Sequence, residues 1–229
     1  HESSGVALSE SIGIEKGTVK LSCFEKADLI LVIGQNPGTN HPRMLTALAA
    51  CKENGGSVVS INPLEETAMK RFKHPQNPLH LIGRGVQIAD EHLPVRIGGD
   101  AALLQGFAKT ILSQGGADLD FISANTLGFE DWKKHIESTD WEKIVEQSGI
   151  SRDRIEKTGN AIAKSERMIV CWAMGLTQHE NSVAVIQEVS NLLLAGGHFG
   201  KPGAGACPVR GHSNVQGDRT VGINHHPTE

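Results

Sequence analysis

Short apolar runs, each stopping at a small or polar turn, constrain this chain more than any other feature. Ala27 to Ile33 (ADLILVI) is one such run, Ser57 to Ile61 (SVVSI) is a second, and Met168 to Trp172 is a third. Runs of this length, rich in β-branched residues, suit strands covered on both faces, the condition of a parallel sheet. Behind the first run, Pro42 stands where an opening helical turn tolerates proline. Met44, Leu45, Leu48 and Ala49 then form an apolar stripe, which Asn54-Gly55-Gly56 ends. Behind the third run, Val183, Ile186, Val189, Leu192 and Leu193 share one helical face, and Gly196-Gly197 stop it. Successive strand–loop–helix units of this kind imply βαβ crossovers. The expected fold is therefore α/β: a doubly wound, Rossmann-like parallel sheet within a three-layer domain.

The intervening segments are less regular. His1 to Gly17 is rich in Ser and Gly, with a short helical turn expected around Leu8 to Ile12. Arg71 to Glu91 reads as a surface excursion, and His92 to Ile97 as a short strand that Pro94 places at an edge. Gly98-Gly99-Asp100 opens a helix bearing Leu103, Leu104, Phe107 and Ile111. Thr139 and Glu142 have the spacing of a capping box, and Ser151 is placed to cap the helix after it. A glycine-rich loop leads to Pro208-Val209-Arg210-Gly211. Residues 1–212 are read as one ligand-binding α/β domain, and 213–229 as a tail leading into a neighbouring domain outside this chain.

With 229 residues, 38% of them apolar, the chain can bury one sizeable core. A formal charge of -4 gives no electrostatic case for nucleic acid or an anionic membrane, and no apolar run is long enough to span a bilayer. The cysteines, Cys23, Cys51, Cys171 and Cys207, never form a C-x-x-C pair, which argues against a zinc knuckle or a cluster held by this chain alone. Cys51 and Cys171 suit small buried hydrophobes in a reducing, cytoplasmic setting. The first residues are His1-Glu2, without an initiator Met, so a fragment of a longer polypeptide is expected.

Gly34 to His41, Asn62 to Glu66, Gly98 to Asp100 and Met174 to Gln178 each follow an expected strand. In a parallel sheet these turns face one crevice, into which helix N-termini point N–H groups. Such a rim suits a phosphate-bearing nucleotide, with Asn, Gln and Asp to read a base edge. Neither G-x-G-x-x-G nor the P-loop pattern is present, so these residues alone leave the ligand unnamed.

Segments spanning nearly the whole chain narrow the choice: HESSGVALSESIGIEKGTV, LVIGQNPGTNHPRM, WAMGLTQH, LLLAGGHFGKPGAGACPVRG and SNVQGD. Taken together, they resemble the alpha subunit of molybdenum-dependent formate dehydrogenases, within the dimethyl-sulfoxide-reductase family of bis-molybdopterin-guanine-dinucleotide enzymes. That resemblance implies a molybdenum or tungsten oxidoreductase that oxidises formate or another small substrate. It implies that Gly34, Gln35, Asn36 and His41 line the guanosine and phosphates of one pterin cofactor, flanked by Asn62, Pro63, Leu64 and Glu65. Asn62 stands where members often carry Asp, and Gly99 where they carry Thr. Gly99 and Asp100 would lie beside the guanine, Met174, Gly175 and Gln178 near the pterin, and His212 where a Gln is common. Arg210 matches the arginine that holds the formate carboxylate, and His1 the histidine beside the metal. No metal ligand falls within this chain; the cysteine or selenocysteine ligand is expected just before His1. A 4Fe-4S segment, the domain for the second pterin and an electron-transfer partner would lie in the rest of the polypeptide or beyond it.

Two readings compete. A nucleotide-binding domain of a thiamine-diphosphate enzyme shares the sheet plan, but the chain lacks the expected G-D-G…N-N segment. A scaffold domain that has kept the fold and lost its ligand is the other.

Overall fold

The computed structural model describes residues 2–76, 78, 82–212 and 214–223. Five parallel strands form one sheet: β1 (Leu29–Ile33), β2 (Ser57–Ile61), β3 (Glu91–Leu93), β4 (Met168–Trp172) and β5 (Gly205–Pro208). Their spatial order is β3-β2-β1-β4-β5, so the chain winds outward from β1 in one direction and then returns to start the other half at β4. This is the doubly wound α/β plan, with its switch point between β1 and β4.

Alternation along the strands divides the core in two. Leu29, Leu31, Ile33, Met168, Val170, Trp172 and Ala206 pack on one face, against α1 (Glu2–Ile12), α5 (Asp100–Ser113), α9 (Arg152–Lys164) and α11 (Ser182–Ala195). Ile30, Val32, Val58, Ile169 and Cys171 pack on the other, against α3 (Pro42–Glu53) and a 3-10 turn at Leu21–Lys26. A side-chain period of two makes both faces apolar at once, which is why the strands read as continuous apolar runs. Between β1 and α3 lies the single turn α2 (Pro37–Asn40), and after β2 comes α4 (Thr67–Lys70). The remaining helices are α6 (Leu119–Asn125), α7 (Phe129–Ser138), α8 (Trp141–Ser148), α10 (Met174–Thr177) and α12 (Val215–Thr220).

Several local expectations change. The opening segment is a full helix, α1, whose small buried residues Ser4, Gly5 and Ala7 allow close packing. Ser4 is satisfied by the indole N–H of Trp172 at 3.0 Å. Asp140, not Thr139, caps α8: its carboxylate accepts the Glu142 N–H at 3.0 Å, while the Thr139 hydroxyl donates back to the His135 carbonyl. Ser151 occupies the N-cap of α9 without a side-chain cap bond. The third strand stops at Leu93, where Pro94 removes the next donor, and it does lie at the sheet edge. The end of the glycine-rich loop is a strand, β5, paired to β4. The stretch read as a tail contains α12, tied to the N-terminal segment by Lys16–Thr220 at 2.8 Å and Gly17–Gln216 at 2.6 Å.

Candidate functional site

All five strands end on one rung. Leu93 pairs with Ile61, Ile61 with Ile33, Ile33 with Trp172, and Trp172 with Pro208. Hydrogen bonds carry the ladder one residue further. Gly34 donates to Ile61 (2.9 Å), Asn62 to Leu93 (3.2 Å), Ala173 to Ile33 (3.3 Å) and Val209 to Trp172 (2.8 Å). The loops after β1, β2, β4 and β5 therefore leave the sheet side by side, and Arg210 is the second residue of the last.

At the switch point the β1 and β4 turns meet back to back. The Gly175 N–H donates to the Gly34 carbonyl at 3.1 Å. A Cβ built on Gly34 would lie 2.8 Å from the Gly175 Cα, and one on Gly175 only 2.5 Å from the Gly34 Cα. Gly34 also sits at φ 58°, which other residues rarely adopt. Both glycines are required by this contact. Beyond them Gln35 is buried: its amide nitrogen faces the Met44 sulfur at 3.2 Å, and its Oε1 has no hydrogen-bond partner among the described residues. Asn36 caps α2, accepting the Thr39 N–H at 3.1 Å. His41 reaches across to the loop after β5, where its Nε2 lies 2.8 Å from the Arg210 carbonyl. A carbonyl only accepts, so Nε2 carries the hydrogen there and Nδ1 is left as a buried atom without a hydrogen-bond partner among the described residues.

The β2 turn is more self-contained. The Asn62 amide donates to the Leu64 carbonyl and to Glu66, each at 3.2 Å. Pro63, Leu64 and Glu65 are exposed, and Glu65 pairs with Lys70 at 2.7 Å, which holds its carboxyl below the usual range. Gly99 is buried where a Cβ would meet the Gln147 carbonyl oxygen at 2.4 Å. Asp100, only 6% exposed, heads the 14-residue helix α5. Burial pushes its carboxyl up, against the opposing pull of His179 from the turn after β4. His179 closes the WAMGLTQH segment and is the residue there that sequence reading passed over.

Met174, Gly175 and Gln178 are exposed on that same turn, while Arg210 is buried. Its guanidinium donates to the Glu15 carbonyl at 3.1 Å. Burial, together with the nearby Arg219, lowers its proton affinity, and Glu2 and Glu15 oppose that. Arg210, His41 and His212 line one cavity of about 700 Å³, walled by Phe24, Ala47 and Val209 and rimmed by Lys20 and Arg43. The structure thus brings His41, Arg210 and His212 together, and separately brings the β1 turn against the β4 turn. His1 lies outside the described residues. Ser3 and Ser4, which open α1, are held at the same edge by Ser182 and Trp172. Glu15 and Gln216 lie within quoted segments but were not singled out, and Arg219 lies outside them; their contacts join positions some 200 residues apart.

Among the described residues no group of three or more His, Cys, Asp or Glu side chains could hold a metal ion. No helix of the described residues is long and apolar enough to cross a membrane.

Comparison with known proteins agrees with this architecture. The family model described as "Molybdopterin oxidoreductase" matches residues 7–225. Protein YdeP of Escherichia coli K12 is 46% identical over all of this chain, which corresponds to 32% of YdeP. Formate dehydrogenase H of the same organism is 29% identical over 97% of the chain and 29% of its own length. Acetylene hydratase from Pelobacter acetylenicus superposes with a TM-score of 0.73 at 22% identity, covering 89% of this chain and 25% of that one, a likeness of fold. The chain spans about a third of the length of the curated relatives it matches. Family membership implies a molybdopterin-type cofactor carrying a metal. Matched by that model from within α1 to beyond α12, the chain belongs to the molybdopterin oxidoreductase family.

Proposed function

We propose that this chain binds the guanosine and phosphates of a molybdopterin guanine dinucleotide along the carboxyl edge of its sheet. It also supplies Arg210 to a small-substrate site, for which formate is the best-suited occupant. The shared rung at which every strand ends supports this reading best, because the loops that carry Gln35, Asn62 and Arg210 leave the sheet from it side by side. A dinucleotide cofactor needs such a row, with a base at one station and a reactive centre at another.

The residues suit the group. Asp100 is a buried carboxylate and Gln35 Oε1 a buried acceptor lacking a partner among the described residues. Guanine presents adjacent N–H donors, the chemistry that such acceptors satisfy. The Gly34–Gly175 contact keeps side chains out of the switch point, where the backbone can approach phosphates, and the first turn of α5 adds N–H groups toward an anion. When bound, the cofactor supplies the metal-centred redox chemistry.

The chain's own contribution is to bind and orient. Formate has three heavy atoms, so even at a ceiling of about 1.5 kcal/mol per atom its affinity stays near ~4.5 kcal/mol, or roughly 0.5 mM. Almost all of that must come from charge-assisted hydrogen bonds to an arginine fork, because formate has no apolar body to bury. Arg210 is held for this by its own backbone carbonyl, fixed by His41, and by its donation to Glu15. Its enclosure keeps bulk water from competing for the same donors. His1, next to the expected metal ligand, is assigned to relay the proton that formate oxidation releases. A 4Fe-4S cluster, the second pterin and the electron acceptor belong to other parts of the assembly.

The test uses the full-length protein. Arg210→Ala should keep metal and pterin content and lose formate turnover by a factor of at least about 100. Normal turnover in that variant, or absence of both molybdenum or tungsten and pterin from the wild type, would falsify the assignment.

A further inference from the structure

Arg219, on α12, reaches back across the chain to the N-terminal segment. Its guanidinium contacts the Glu15 carboxylate through Nη1 and the Glu2 carboxylate through Nη2, the latter at 2.7 Å. Only 12% of the Arg219 side chain is exposed, although both carboxylates are about half open to solvent. Gly5 makes room for it: a Cβ there would lie 3.4 Å from the Arg219 Nη1. Two further bonds hold α12 in place. Gln216 accepts the Gly17 N–H at 2.6 Å and reaches the Pro208 carbonyl at 3.5 Å, so the helix is pinned to both the N-terminal segment and the end of β5.

Both guanidiniums engage the same N-terminal segment, and both touch Glu15. Arg219 takes the carboxylates of Glu2 and Glu15, while Arg210 donates to the backbone carbonyl of Glu15. Arg210 thus bonds the backbone of the same residue whose carboxylate Arg219 holds, and Glu2 and Glu15 both act electrostatically on Arg210. A carboxylate of the protein and the carboxylate of a small substrate are the same ligand to an arginine fork. The protein's own carboxylate has the advantage of high local concentration.

We propose that Arg219 is a positioning residue: by engaging Glu2 and Glu15 it keeps their carboxylates from competing with the carboxylate of the substrate for Arg210. This rests on the role given to Arg210 above. Removing the Arg219 charge turns Glu15, and secondarily Glu2, into an internal competitor of formate. The loss should therefore appear in substrate affinity and be reversed by removing the competitor, an outcome that a merely structural ion pair does not produce.

The experiment is a double-mutant cycle in the full-length enzyme, with Arg219→Gln, Glu15→Gln and the combined variant, and Arg210→Ala in parallel. Arg219→Gln should raise the formate KM about tenfold, change kcat less than threefold and keep pterin and metal content. Amide hydrogen exchange of the Pro208–His212 segment should change in the same variant, a readout independent of turnover. The combined variant should recover most of the lost affinity, and Arg219→Lys should recover part of it. An unchanged KM in Arg219→Gln overturns the inference, and so does a combined variant worse than either single one. Should Arg219→Gln fail to accumulate, Arg219→Met, alone and combined with Glu15→Gln, carries the comparison; a KM equal to wild type in Arg219→Met then overturns it. If Arg210→Ala leaves formate KM and kcat at wild-type values, the reading of Arg210 itself has failed, and that result is separate from any effect at Arg219.

Discussion

The imidazole of His41 donates to the backbone carbonyl of Arg210 at 2.8 Å, joining residues 169 positions apart. His41 belongs to the loop after β1 and Arg210 to the loop after β5, with β4 between those strands. One side chain thus ties the loops of two strands that are not neighbours and fixes the segment that carries the proposed substrate-binding arginine. Replacing His41 by Ala removes that bond and leaves the carbonyl to find water. We expect a stability loss of about 1 kcal/mol. Faster amide exchange around Arg210, read by mass spectrometry, should accompany it, and a variant with unchanged exchange there would show the bridge to be incidental.

The glycine contact at the switch point makes a sharper demand. Gly34→Ala and Gly175→Ala each place a methyl group within 2.8 Å of backbone that has no room to retreat. Overpacking against backbone costs about 1–3 kcal/mol, and the positive φ at Gly34 adds about 1 kcal/mol more. Gly55→Ala is the control: it shares a positive φ but meets nothing within 4 Å. Urea unfolding midpoints should fall well below wild type for the first two variants and only slightly for the third.

His198 gives the fold a defined acid limit. It is 1% exposed, with Nδ1 near the Met168 N–H at 3.4 Å, and burial aided by Lys201 lowers its pKa to about 4. Unfolded, the same ring titrates near 6.5. Between those values the unfolded chain binds the extra proton, so stability falls as pH drops from 6.5 toward 4. The loss attributable to this ring is about 3 kcal/mol. His198→Asn should flatten stability across that window, measured by denaturant unfolding at several pH values. An unchanged slope would place the acid sensitivity elsewhere.

Asp100 works in the opposite sense. Burial raises its carboxyl, so at neutral pH the ionised form costs the empty fold stability. Asp100→Asn should be no less stable than wild type at pH 7, and the difference should shrink as pH falls through the raised pKa. The same change turns an acceptor pair into one acceptor and one donor, so pterin guanine dinucleotide content of the full-length protein should drop. A variant that is clearly less stable at pH 7, with full cofactor content, would contradict the assigned role.

Sequence reading captured the parts of the fold that burial writes into composition. Leu29–Ile33, Ser57–Ile61 and Met168–Trp172 are apolar on both faces because the sheet is covered on both faces. β5 was illegible because Gly205, Ala206, Cys207 and Pro208 carry no strand pattern; pairing with β4 makes them a strand. α12 was illegible for another reason: none of its residues is buried, and ion pairs and amide contacts hold it rather than an apolar stripe. At the site, Gly34, Gln35, His41, Asp100 and Arg210 stand in short distinctive segments and could be named. Glu15 and Arg219 could not, since a charged residue on a polar segment looks the same whether it faces solvent or a distant partner.

The common rung of the strand ends has a consequence for how such a domain can diverge. No strand overhangs its neighbours, so lengthening or replacing any one turn leaves the pairing of the other four strands untouched. Arg210 leaves from the outermost strand on one side, and the turns proposed to read the nucleotide leave from the others. Descendants of one ancestral sheet could therefore exchange their chemistry at one corner while keeping the same cofactor handle, much as a tool changes its bit and keeps its grip.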